Sequence, residues 1–174
     1  MDGAERSHFC NHFMPTPFPC HSHGHSGLDL HPGSGSQRSV IRNCRLAGND
    51  IGIFCCWGVR GVFAGEIPIT GNRVGISLGH RDTDNTVRSN TIKGSTGTGI
   101  LLRHENDAAA AGHRNMIGNN ALTDNGGDSG VAIKLEAPVR GFVLTGSSKL
   151  LTQTPAITHS LRFAVPRLRC IMAP

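Results

Sequence analysis

A glycine followed by two apolar residues in alternation recurs through the middle of the chain: Gly27-Leu28-Asp29-Leu30, Gly52-Ile53-Phe54-Cys55, Gly75-Ile76-Ser77-Leu78, Gly99-Ile100-Leu101-Leu102 and Gly130-Val131-Ala132-Ile133. Subtracting the glycine positions gives steps of 25, 23, 24 and 31 residues. A period of that size marks a solenoid, because one such unit cannot bury its own apolar side chains and must stack on its neighbours. The period constrains the architecture and says nothing about a reaction.

A second motif runs out of phase with the first: Ile41-Arg42-Asn43-Cys44-Arg45-Leu46, Ile69-Thr70-Gly71-Asn72-Arg73-Val74, Val87-Arg88-Ser89-Asn90-Thr91-Ile92 and Ile117-Gly118-Asn119-Asn120-Ala121-Leu122. Two alternating motifs require at least two strands per repeat. On these residues, roughly 27–148, the chain resembles the right-handed parallel β-helix proteins, a group that includes pectate lyases and polygalacturonases. The resemblance implies an all-β fold, a short right-handed parallel β-helix of about five coils, with irregular tails at 1–26 and 149–174.

Period-two alternation sends Leu28, Ile53, Ile76, Ile100 and Val131 inward as one column, and Leu30, Cys55, Leu78, Leu102 and Ile133 as a second. The fourth residue of the other motif is expected to form an inward amide ladder of Asn72, Asn90 and Asn120, with Cys44 standing in, at about 4.8 Å per step. The glycines are expected to supply backbone freedom at each bend. Asn72 and Gly75 lie closer together than Asn90 and Gly99, so the register between Trp57 and Val74 departs from the pattern.

The tails differ from the repeats. Residues 1–26 hold Cys10, Cys20, five histidines and three prolines; residues 149–174 are basic and apolar, and Leu161, Phe163, Val165 and Leu168 are placed to cover an open end of the stack. Free thiols are expected for all six cysteines, with Cys44 and Cys55 inside the solenoid and Cys56 outside. The tract Cys20-His21-Ser22-His23-Gly24-His25 puts three imidazoles on one side of an extended chain, but its spacing fits no structural zinc template, and adventitious metal capture is the plainer reading. The first residues lack a basic-then-apolar signal pattern, so the chain taken literally stays in the cytoplasm.

A net charge of +5 and a pI near 9.2 invite a polyanionic partner. With one Trp, seven Phe and no Tyr, the chain has few stacking surfaces and no nucleic-acid motif. Neither nucleic acid nor a membrane is the expected partner, and an anionic polysaccharide suits a long sheet face better. No symmetric interface can be read, so the oligomeric state stays open.

Candidate chemistry lies just past the glycine strands. Counting from each glycine, the fourth positions are Gly79, Arg103 and Lys134, the fifth His80, His104 and Leu135, and the sixth Arg81, Glu105 and Glu136. His80 should then sit one coil from His104, and Arg81 should stack near Glu105, with Asp82, Asp84, Asp107 and His113 in the adjoining loops. Such a set of His80, Arg81, Asp82, Arg103, His104 and Glu105 suits general acid/base work. In a polysaccharide lyase Arg103, Lys134 or His104 would take a proton, while Arg81, or a divalent metal on Asp82 and Asp84, stabilised the charge that develops. In a glycoside hydrolase Asp82 and Glu105 would be the carboxylate pair. The sequence matches neither the aspartate cluster of polygalacturonases nor the calcium-binding set of pectate lyases. Three functions therefore stand: a solenoid that binds or processes polysaccharide, a non-catalytic structural or interaction solenoid, and a piece of a longer β-helix protein. Ordinary turn chemistry would account for the same loop residues without any substrate.

Overall fold

The computed structural model describes residues 20–146 apart from 25, 130 and 137, together with short strands at 151–152, 162–163 and 171–172. Every strand pairing in it is parallel; the coils stack into three sheets, and Leu151–Thr152 pairs with Ile171–Met172 in a separate two-stranded one. The first sheet holds Cys20–His23, Cys44–Ala47, Pro68–Thr70, Thr91–Lys93 and Ala121–Thr123. The second holds Leu28–Leu30, Ile51–Phe54, Val74–Leu78, Thr98–Leu102 and Ile133–Leu135. The third runs through Val40–Ile41, Phe63–Gly65, Thr86–Arg88, Met116–Gly118 and Val143–Thr145 to Arg162–Phe163. Each coil therefore contributes three strands, and among the described residues parallel pairing already includes Cys20, inside the stretch that reads as an irregular leader.

Stacked aliphatic columns form the core. In the second sheet Leu30, Ile53, Ile76, Ile100 and Ile133 lie in register, all at most 3% exposed. The three central members agree with the sequence pattern, and the two ends do not: Leu30 takes the place expected of Leu28, and Ile133 that of Val131. Both displacements are two residues, and a slip of two leaves every side chain on its expected face. The true steps are 23, 23, 24 and 33 residues, so the glycine is a poor register mark at either end.

The glycines of the central strands are required for space. Neither Gly52, Gly75 nor Gly99 has a positive φ. A Cβ on Gly75 would lie 2.5 Å from the Gly99 carbonyl oxygen and 2.7 Å from Ile92 Cγ2, a contact no real side chain makes. The expected bend freedom is thus replaced by close approach of neighbouring coils within the strands of the second sheet.

One amide ladder was expected; the solenoid has one at each of its three corners. Between the third and first sheets, Asn90 Oδ1 accepts the Ile67 N–H at 3.1 Å and Asn120 Oδ1 accepts the Asn90 N–H at 3.0 Å, with Cys44 in the same column as expected. Asn72 belongs to a different corner, between the first and second sheets, where it accepts the Asn49 N–H at 2.8 Å and where Asn125 accepts that of Ser95 at 3.0 Å. The third corner is closed by Asn85 and Asn115. Similar local sequences at successive corners explain why Asn72 reads as a member of the wrong column.

Other expectations fall on the periphery. Cys56 is buried at 6% exposure but, unlike Cys55 and Cys44, is not part of the solenoid's apolar core; all three are free thiols. Phe163 lies in the strand that extends the third sheet past Val143–Thr145, while Leu161, Val165 and Leu168 lie outside the described residues. His21 and His23 are exposed on the first strand, and His25 lies outside the described residues.

Candidate functional site

The loop leaving the second sheet changes length between coils. Asn85 follows Gly79 by six residues, whereas Asn115 follows Arg103, which pairs beside Gly79, by twelve. The six added residues make an excursion that carries Glu105 and a 3-10 turn, Ala108–Ala110, capped by the Asp107 carboxylate accepting the Ala109 N–H at 2.8 Å. His113 ties the excursion down: its Nδ1 accepts the Arg140 N–H at 3.0 Å, so Nε2 carries the proton and donates to the Ala108 carbonyl at 2.8 Å. Insertions in a solenoid collect on one face, and that face commonly binds.

Arg103 is the hub beneath this loop. Its guanidinium donates to Ser77 Oγ at 2.7 Å and to the Cys55 carbonyl at 2.7 Å, lies 4.5 Å over the Phe54 ring, and meets Asp82 Oδ2 at 3.4 Å. Gly79 leaves the room for it, since a Cβ there would sit 3.0 Å from Arg103 Nε. Asp82 is fully buried and accepts the Val59 and Gly79 N–H groups at 3.0 and 2.9 Å. Burial pushes its carboxyl above the ordinary carboxylate value, against the pull of those amides, Arg103 and His80.

Glu105 reaches back one coil. Its Oε1 accepts the His80 N–H at 2.7 Å and lies 3.0 Å from His80 Nδ1. Arg103 Nη2 is farther from the same nitrogen, at 3.4 Å, so the closer carboxylate fixes Nδ1 as the donor and leaves Nε2 free to accept or to take a proton. The other face of His80 packs on Trp57, ring centroids 5.4 Å apart and planes at 41°. Trp57 is the sole tryptophan of the chain and is 67% exposed.

The structure therefore brings together His80, Asp82, Arg103 and Glu105. His104 adjoins them but turns to the next coil, with Nδ1 3.1 Å from the Glu136 carbonyl and Nε2 3.1 Å from Asn106 Oδ1; those contacts raise its pKa. Arg81 does not meet Glu105, which His80 occupies, and it has no ion pair among the described residues. Lys134 lies in the column of Phe54, Ser77 and Leu101, two residues short of the position expected beside Arg103, and pairs with Glu136 at 2.6 Å. Asp84 is held by Arg114 at 2.7 and 2.8 Å and Asp82 is sealed, so the pair does not form a metal seat; no group of three His, Cys, Asp or Glu side chains suited to a metal occurs among the described residues. Sequence reasoning missed Trp57 and Phe54, because an outward aromatic has no periodic signature.

The family description "right handed beta helix region" matches residues 20–152, which is 133 of the 174 residues. The chain belongs to the right-handed β-helix family. No curated protein and no solved structure matches it. In this β-helix the loop insertion, the exposed indole and the His80–Glu105 pair share one rim of the second sheet. No helix among its described residues is long and apolar enough to cross a membrane.

Proposed function

We propose that this β-helix binds saccharide at the rim formed by Trp57, His80 and Glu105, without cleaving it. The observation that carries the reading is the sole tryptophan standing 67% exposed against an imidazole that a loop carboxylate fixes from the neighbouring coil. An indole face offers a sugar ring its apolar C–H surface, and a small number of oriented polar groups beside it select the hydroxyls. Glu105 Oε2 and His80 Nε2 are those groups.

Cleavage is less well supported than binding. Two-carboxylate hydrolysis needs both carboxyl groups flanking the bond, and Asp82 is fully buried under its own hydrogen bonds. Arg103, a candidate base for elimination, has its Nη1 and Nη2 groups committed to Ser77, Cys55 and Asp82. Of the carboxylates near Glu105, Glu136 holds Lys134 and Asp107 caps the 3-10 turn by accepting the Ala109 N–H.

Titrating the protein with a panel of oligosaccharides while following tryptophan emission tests the reading, with product analysis on the same mixtures. A saturable change abolished by Trp57→Ala, with an unchanged circular dichroism spectrum and no new reducing ends or unsaturated product, is the expected result. Product formation that requires Glu105 would replace binding by catalysis, and an emission indifferent to every glycan would remove the site.

A further inference from the structure

We infer that the rim selects uncharged saccharides and disfavours polyanionic ones, despite the net positive charge of the chain. The inference rests on the rim being a saccharide site, and it opposes what the overall charge suggests. Arg103 meets Asp82 at 3.4 Å, Lys134 meets Glu136 at 2.6 Å, and His80 meets Glu105 at 3.0 Å. Arg103 is also only 15% exposed in its side chain, and its Nε is buried. An incoming carboxylate or sulfate could use Arg103 or Lys134 only by displacing a partner already in place, which leaves Arg81, exposed and with no ion pair among the described residues, as the rim cation open to it. Displacing Asp82 would strand a fully buried carboxylate, the costliest exchange available.

Formal charge at the rim supports the same conclusion. Arg81, Arg103 and Lys134 supply three positive charges; Asp82, Glu105, Asp107 and Glu136 supply four negative ones. Without the imidazoles the balance is one negative charge; His104, whose two nitrogens both face oxygen acceptors, offsets it when protonated, and a positive rim needs a second imidazolium. Glu105, the carboxylate that holds the imidazole packed on Trp57, would repel an anionic sugar seated on that ring pair. The excess positive charge lies elsewhere: Arg88 is exposed on the third sheet and Arg42 one residue past that sheet's Val40–Ile41 strand, Arg45 and Lys93 on the first, and Arg38 and Arg60 at the corner leading into the third.

The indole makes the test specific to the rim, because any emission change originates at Trp57. Full-length protein is titrated at neutral pH and fixed salt with hexasaccharides of glucan and xylan, which are uncharged, and of polygalacturonate and alginate, which are anionic. Half-saturation at least tenfold lower for an uncharged hexasaccharide than for either anionic one is expected, with Glu105→Gln narrowing the gap. Heat of binding from polygalacturonate with no change in tryptophan emission also agrees, since it places the anion on the arginine-bearing faces. Anionic hexasaccharides that shift the emission as tightly as the neutral ones overturn the inference while leaving the saccharide site intact. Silence from all four overturns the site itself.

Discussion

Asn90 satisfies three groups at once. Its oxygen accepts the Ile67 N–H, and its amide donates to the Ala64 carbonyl at 3.0 Å and to Asn120 Oδ1 at 3.0 Å, all at 1% exposure. Asn90→Ala would strand the Ile67 N–H and the Ala64 carbonyl inside the solenoid. A buried polar group left unmade costs about 1–3 kcal/mol, so a loss of about 3 kcal/mol is expected, read from urea unfolding midpoints. Asp82 occupies a comparable inward position as a charged residue, and its effect depends on pH. Its folded pKa is raised above the ordinary 3.8, so above that value the folded state holds protons the unfolded state has released, and stability falls as pH rises through the folded pKa. Asp50 and Asp84, lowered first by hydrogen bonds from Arg73 and Arg114, act oppositely: the stability they contribute is present above 3.8 and is lost as pH falls through their folded values. Unfolding curves from about pH 3 to about pH 7 should show a decline on the alkaline side of 3.8 that Asp82→Asn flattens, and an acid-side loss that it leaves in place.

At the scale of the element, the register decides what is near what. The central columns were legible because Ile53, Ile76 and Ile100 repeat with almost constant spacing, and alternation then assigns the faces. The end strands were not, since a two-residue slip preserves alternation and leaves no trace in an apolar pattern. The same slip misplaced Lys134 relative to Arg103. His80 and Glu105 were legible as neighbours because both follow the central strands, although the partner assigned to Glu105 was Arg81. What pairs with what inside a loop is set by the excursion of the chain, and the excursion from Arg103 to Asn115 has no counterpart in the neighbouring coil to read it against. Excising residues 105–110 would restore the six-residue connection while keeping Ala111, which is fully buried, and Gly112, which packs against Asp82. Loop length itself changes stability by only about 0.6 kcal/mol per doubling, so the unfolding free energy should move by about 1 kcal/mol or less. The saccharide response of Trp57 should disappear with Glu105. A full response in that variant would mean that the excursion is not part of the site.

For the whole molecule, stability is carried mainly between adjacent coils, with Arg103 reaching two coils back to Phe54 and Cys55. Architecture was therefore readable from a period, while function was not, because the rim depends on side chains from three coils that no repeat relates: Trp57, His80 and Glu105. The stacked geometry makes a sharp demand on chain length. Ile51 pairs with Val74, so removing residues 51–73, which is 23 residues, joins Asp50 to Val74 and deletes one complete coil. Leu30 would then lie over Ile76, Cys44 over Asn90 and Asn49 over Ser95, with every inward side chain still inward. Removing residues 52–73, one residue fewer, keeps Ile51 ahead of Val74 and shifts the following strand by one, which turns its apolar face outward. Circular dichroism and urea unfolding should find the 23-residue deletion folded, with a smaller denaturant slope in proportion to the surface it no longer buries. The 22-residue deletion should lose cooperative unfolding. Equal behaviour of the two would mean that the columns of Leu30, Ile53 and Ile76 do not hold the coils in register, and that contacts outside the aliphatic core do.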